Sequence, residues 1–198
     1  MKSDSYITLD ELYLSLKDSP FTTNHEMFYH VFKQDTLVRI RETLKLIPKS
    51  QGGEDCLVDV GCYAPMISLY QKICGYKKII AVGKDDWDLL SKSHEALVSR
   101  RELDLKIIIC DLERSILPIE DRSVNTVLML ETLEHFSIDP MGAMAEINRI
   151  LKYGGKLIIS TPNAINIDAL VKVLLGDNPQ SEPYNGVDTN RHNRFLYS

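Results

Sequence analysis

Gly61 and the acidic pair Asp85-Asp86, about 24 positions further on, are the residues whose spacing could do chemistry. A glycine turn after one strand and a carboxylate at the tip of the next form a nucleoside site. The turn lies beneath the ligand, and the carboxylate accepts hydrogen bonds from both ribose hydroxyls. The turn reads Gly61-Cys62-Tyr63-Ala64-Pro65-Met66, so only the first glycine of a dinucleotide fingerprint is present. Tyr63 puts a ring where the backbone would have to approach a pyrophosphate, which counts against a nicotinamide-dependent oxidoreductase. Glu131, Glu134 and His135 could suggest a metal, but two adjacent residues and one a turn away do not complete a ligand set, and no metal is expected. His94 has no second ligand type at i±4 and reads as a helix residue. Cys56, Cys62, Cys74 and Cys110 lack C-x-x-C spacing and neighbouring histidines, and read as reduced core thiols.

Alternating strands and helices must position these groups. Cys56 to Val60 is a short apolar run closed by Gly61, the pattern of a strand buried on both faces. Met66, Ile67, Leu69, Tyr70 and Ile73 then recur at helical spacing behind Pro65, whose missing N–H costs nothing in a first helical turn. Further strands are predicted at Ile79 to Val82, Leu105 to Cys110, Thr126 to Leu130 and Lys156 to Ser160. Helices are predicted at Trp87 to Val98, from Asp139-Pro140 to Leu151, and at Ile165 to Leu175, and a polar loop at Gln180 to Asn190. Gly154-Gly155 is expected to supply the positive φ that turns the chain into the fifth strand. The first 51 residues read as a helical lead-in. Thr8 and Glu11 have capping-box spacing ahead of the stripe Leu9, Leu12, Tyr13 and Leu16. Thr23 and Glu26 repeat the box ahead of Phe28, Val31, Phe32, Ile40, Leu44 and Ile47. Two units follow: residues 1–51, and a nucleoside-binding domain over 52–198.

With 198 residues and 44% apolar content, the chain can bury one sizeable core. A net charge of -5 supplies no general field for phosphate backbones, so nucleic acid is not an expected partner. No apolar run approaches the roughly 20 residues of a membrane span, and the first ten residues lack signal-peptide order. The expected location is cytoplasmic.

Four regions, in this order, resemble the class I methyltransferases that use S-adenosylmethionine, of the methyltransferase type 11-like kind. The first is Leu57 to Gly61, with Asp59 just ahead of the glycine. The second runs from Leu117-Pro118 to Leu130, where Val124-Asn125 replaces the Phe-Asp typical of the family. The third is Glu131-Thr132-Leu133-Glu134-His135, and the fourth is Ala145 to Leu157, a helix, its basic end, a glycine turn and a strand. The resemblance implies an α/β, Rossmann-like parallel sheet in the order 3-2-1-4-5 with helices on both faces.

It also implies the site. S-adenosylmethionine would be held by Asp59, Gly61, Cys62, Tyr63, Asp85, Asp86, Leu130 and Glu131. Asp111 would stand beside the adenine amino group and the Leu112 amide beside the ring nitrogen. Asn163 and His192 would face the acceptor, and the lead-in helices would act as a partial lid. The chemistry implied is displacement of a methyl group by a nucleophile, with donor and acceptor held at attack distance. For a hydroxyl acceptor, His135 is the candidate general base. The run Arg191-His192-Asn193-Arg194 resembles methyltransferases of glycan and sugar-modifying pathways, which points to a small molecule or sugar hydroxyl. The alternative is a binding or scaffold protein that kept the fold without catalysis. The family covers its fifth strand with a terminal strand pair, and no such pair is predicted before Ser198. The expectation is a truncated chain or a homodimer paired along that open edge.

Overall fold

Every residue of β1 (Cys56–Val60) is buried, as a strand covered on both faces requires. A computed structural model describes residues 7–22, 33–83, 103–163 and 167–176. Its five strands are β1, β2 (Lys78–Gly83), β3 (Asp104–Ile109), β4 (Val124–Leu130) and β5 (Leu151–Ser160). They form one sheet in the order β3-β2-β1-β4-β5, with every neighbouring pair parallel. This is the Rossmann-like order the resemblance implies.

Successive strand residues point to opposite faces, so the sheet divides the core in two. One face carries Leu57, Ile79, Ala81, Leu128 and Ile158. Against it lie α1 (Leu9–Lys17), α2 (Gln34–Leu46) and α3 (Met66–Lys72), through Leu12, Leu16, Leu44, Ile67 and Leu69. The other face carries Val58, Val60, Ile80, Val82, Val127 and Met129 against Ala143, Ile147 and Ile150 of α4 (Pro140–Ile150). Each fully buried leucine or isoleucine here stabilises the fold by about 1.5–3 kcal/mol. A further helix, α5 (Ile167–Leu174), follows β5.

Local signals explain several boundaries. Thr8 and Glu11 form the reciprocal capping box, with Glu11 N donating to Thr8 Oγ1 at 3.2 Å and Thr8 N donating to Glu11 Oε2 at 2.9 Å. Asp139 caps α4 by accepting from Met141 N at 2.9 Å. The second helix begins at Gln34 behind Lys33, whose backbone is extended, so it does not run unbroken from a start near Thr23 as expected; Thr23, Glu26 and the helix expected after Asp86 lie outside the described residues. At β5 the strand begins at Leu151, five residues earlier than expected, and the glycine pair lies within it at a register irregularity. Only Gly154 has a positive φ, 77°. Gly155 serves close approach, because a Cβ there would meet Lys152 O at 2.9 Å and Asn125 O at 3.1 Å. The four cysteines are free thiols, three buried and Cys110 partly so. Among the described residues no helix is long and apolar enough to cross a membrane.

Candidate active site

The chain leaves β1 through Gly61, whose φ is 72° and whose N–H donates to Val82 O of β2 at 2.9 Å. A Cβ here would lie 2.2 Å from Thr132 Oγ1, so the position excludes every side chain. Thr132 is held in turn, its hydroxyl lying 3.0 Å from Leu130 O and 3.1 Å from Val60 O. The exits of β1 and β4 are thereby locked together at the carboxyl end of the sheet, where open parallel sheets bind ligands.

Glu131, the first residue past β4, takes a left-handed conformation with φ 51°. A non-glycine residue pays about 1–3 kcal/mol for such a backbone and keeps it only when its surroundings over-determine it. They do so here. Glu131 N donates to Ser160 O at 2.9 Å, Ser160 Oγ donates to Glu131 Oε1 at 2.8 Å, and Arg39 of α2 pairs with the same oxygen at 2.6 Å. The lead-in is therefore tied by charge to the end of β4.

Between α2 and the ends of β1, β4 and β5 is a cavity of about 260 Å³. The strand side contributes Asp59, Gly61, Leu130, Glu131 and Ser160, and Tyr63 and Tyr70 close one flank. Thr36, Arg39, Ile40 and Thr43 of α2 form the opposite wall. Asp59 is 2% exposed and accepts a hydrogen bond from Tyr70 Oη at 2.8 Å. Burial pushes its carboxyl up to about 7, against the Tyr70 hydroxyl and the Cys62 thiol, whose hydrogen bonds favour the charged form. Burial likewise raises Tyr70 and Cys62 well above their ordinary values, with the Asp59 charge adding to it.

Of the residues expected at the cofactor, Asp59, Gly61, Tyr63, Leu130 and Glu131 line this cavity, and Cys62 stands behind Asp59. Asp111 lies beyond β3, where its carboxylate accepts from Glu113 N at 3.1 Å. The Leu112 side chain is buried in the α4-side core. His135 sits in the 3-10 turn Leu133–His135 and does not line this cavity; neither does Asn163, which is exposed. Asp85, Asp86 and His192 lie outside the described residues. Sequence reasoning missed Arg39, Thr36, Thr43, Ser160 and Tyr70. Arg39 carries no local signal, since it reads as one cation on an amphipathic helix, whereas Ser160 as the last residue of β5 could have been found from the strand-end rule.

A parallel sheet in this order, with a glycine turn after β1 and acidic groups at strand exits, defines a nucleoside-binding Rossmann-like domain. The chain belongs to the methyltransferase domain family, whose model matches residues 58–159, and with it to the class I methyltransferases that use S-adenosylmethionine. Among solved structures, a Bacillus halodurans protein assigned as a methyltransferase aligns at 20% identity and TM-score 0.52, covering 70% of this chain and 56% of its own. The geranyl diphosphate C-methyltransferase of Streptomyces coelicolor, solved with Mg2+, geranyl diphosphate and S-adenosyl-L-homocysteine, aligns at 19% and 0.51, covering 73% and 57%. The cyclase SpnF aligns at 21% and 0.51, covering 65% and 46%. Identities this low show the fold alone, and the chain spans between 46% and 57% of the length of these three. No curated protein matches the chain.

Proposed function

We propose that this protein transfers the methyl group of S-adenosylmethionine to a hydroxyl of a small molecule, a sugar hydroxyl included. The observation that supports this best is the cavity itself, because it joins Asp59, Gly61, Tyr63 and Glu131 at the carboxyl ends of β1 and β4. Gly61 suits the group, since it lines the cavity with no side chain of its own. The donor set suits it too: a buried carboxyl for an ammonium and a half-buried tyrosine ring beside a sulfonium. Bound there, the cofactor supplies an electrophilic methyl carbon.

In this reading Asp59 accepts from the ammonium and Tyr63 lies along the methionine portion. Asp85 or Asp86 takes the ribose hydroxyls, while Asp111 and the Leu112 amide take the adenine. Asn163 and His192 belong to the acceptor side. The lead-in, residues 1–51, acts as a partial lid, with Arg39 on Glu131 as its latch. The protein works in the cytoplasm, and a second copy pairing along β5 is the proposed macromolecular partner. Calorimetry with S-adenosylmethionine and S-adenosylhomocysteine tests the reading. Low-micromolar binding of both is expected, and binding of reduced nicotinamide dinucleotide in their place would overturn it. Cofactor binding with no transfer to any hydroxyl acceptor would make the chain a binding protein on the same fold.

A further inference from the structure

Three buried side-chain polar atoms lack a hydrogen-bond partner among the described residues, and all three sit at one place: both carboxyl oxygens of Glu134 and Oγ1 of Thr161. Glu134 belongs to the 3-10 turn just past β4 and is 2% exposed, while Thr161 is the first residue past β5. The two strands are paired up to their last residues, Leu130 opposite Ser160. Glu134 and Thr161 stand behind the wall of the cavity, not in its lining, three residues past Glu131 and one past Ser160, which do line it. The Thr161 hydroxyl and the N–H of Glu134 itself lie near enough to the carboxyl to favour its charged form, but neither reaches it with full hydrogen-bond geometry.

The rest of the core shows how unusual this is. Buried Tyr76 and Thr126 pair their hydroxyls at 2.8 Å, Ser19 and Ser68 at 2.7 Å, and Asp59 is held by Tyr70. Leaving a buried polar group unsatisfied costs on the order of 1–3 kcal/mol, more for a charged one. A fold that pairs buried Ser19, Ser68, Asp59 and Thr126 in this way tolerates an unpaired group where a ligand completes it. A carboxylate and a hydroxyl oxygen can both accept, so a hydrogen-bond donor would complete the pair.

We propose that Glu134 and Thr161 form the acceptor end of the site, where an O–H-bearing substrate supplies the missing donor and Glu134 takes its proton as the methyl group is transferred. This rests on the methyltransferase reading above. The balance is simple. The hydroxyl proton passes to a Glu134 oxygen, the freed lone pair of the acceptor oxygen forms the new C–O bond, and the C–S bonding pair stays with sulfur, whose positive charge is neutralised. Burial pushes the Glu134 carboxyl up to about 7; its own backbone N–H opposes this most, followed by the Arg39 charge and the Thr161 hydroxyl, while the Glu131 charge adds to it. A base whose pKa lies near the working pH is available in its charged form and still accepts a proton with useful driving force. Thr161 is the positioning residue, its hydroxyl directing the acceptor oxygen toward the carboxylate.

Calorimetry with S-adenosylhomocysteine separates the proposal from the reading beneath it. Wild type and Glu134→Gln are expected to bind alike. No binding by wild type would overturn the methyltransferase reading and the proposal together, and a loss confined to Glu134→Gln would put this residue at the cofactor and overturn the proposal alone. Labelled S-adenosylmethionine is then offered with phenol and with methyl glucoside. Wild type is expected to methylate at least one, and Glu134→Gln to turn it over roughly 10²–10⁴-fold more slowly. Wild type that binds cofactor but methylates neither, or a Glu134→Gln variant at full turnover, would overturn the proposal. A readout free of turnover is thermal unfolding. Glu134→Met and Thr161→Val are expected to raise Tm by replacing orphaned polar atoms with apolar ones, and a lowered Tm in both would mean that the pair is structurally bonded and the proposal wrong.

Discussion

Two residues other than glycine hold a positive φ among the described residues, and they stand at opposite ends of the same strand: Arg122 just ahead of β4 and Glu131 just after it. At the amino end the strain is absorbed by a network with every partner in place. Arg122 N donates to Arg149 O at 2.9 Å, and its guanidinium lies 3.8 Å from the centre of the Tyr153 ring. Arg149 donates to Glu146, to Asp121 and to the carbonyls of Leu117 and Ile119, all within 3.0 Å. Glu146 in turn accepts from Leu117 N. At the carboxyl end, a few residues past Glu131, the carboxyl of Glu134 makes no hydrogen bond of full geometry among the described residues.

The ionisation of the two ends differs accordingly. Hydrogen bonds from Arg149 hold Glu146 below the ordinary carboxylate range, whereas burial pushes Asp59 and Glu134 up to about 7. A lowered acid stabilises the fold above its unfolded pKa, and that contribution is lost as pH falls. A raised acid contributes below its unfolded pKa, and that contribution is lost as pH rises through 7. Paired charge holds the amino end together, whereas the carboxyl end combines a paired Glu131 with a buried carboxyl at Glu134 that has no ion-pair partner among the described residues.

The harshest test of this contrast is Gly61→Ala. It adds a Cβ against Thr132 and forces a left-handed alanine, so a loss of about 2–4 kcal/mol in urea unfolding is expected. A loss under about 1 kcal/mol would show that the β1 and β4 exits are not locked together. Next comes Arg149→Met, which strips donors from two carboxylates and two carbonyls. Because the arginine is partly exposed, the expected loss is about 2–3 kcal/mol, with S-adenosylhomocysteine affinity within twofold of wild type. A large change in affinity would erase the distinction between the two ends.

Asp59→Asn should weaken cofactor binding about tenfold, roughly 1.4 kcal/mol, yet make stability less dependent on pH. Wild type is expected to lose unfolding free energy between about pH 5 and pH 8 as Asp59 and Glu134 ionise, and the variant to lose less. Identical profiles for the two proteins would mean that Asp59 is not a raised acid. The smallest effect is expected at Tyr63. Tyr63→Leu should reduce the preference for S-adenosylmethionine over S-adenosylhomocysteine by about 0.5–2 kcal/mol, and equal losses for both ligands would remove the ring from the sulfonium.

Wherever a residue's role is decided by its neighbours in the chain, it could be read from the sequence. The β1 run, the Thr8 capping box, the Asp139 cap on α4 and the glycine turn at Gly61 depend on local backbone geometry and the alternation of apolar side chains, both of which are written in adjacent residues. The shared placement of Asp59, Gly61, Tyr63, Leu130 and Glu131 around one cavity could be read too, because strand ends in a parallel sheet share one edge whatever else the fold does. The role of Asn125 could not be read this way. It stands where the family has an acid, and it joins Cys56 N, Asp55 and Lys152 across β1, β4 and β5. Arg39 and Glu131 are 92 positions apart and meet only because α2 crosses the strand ends. Which acid is satisfied and which is left alone is likewise a tertiary decision. Glu134 and Glu146 are the same residue type, and what separates them is that Arg149 lies one helical turn from Glu146, while the folding of β4 beside β5 buries Glu134 away from any cation that pairs with it among the described residues.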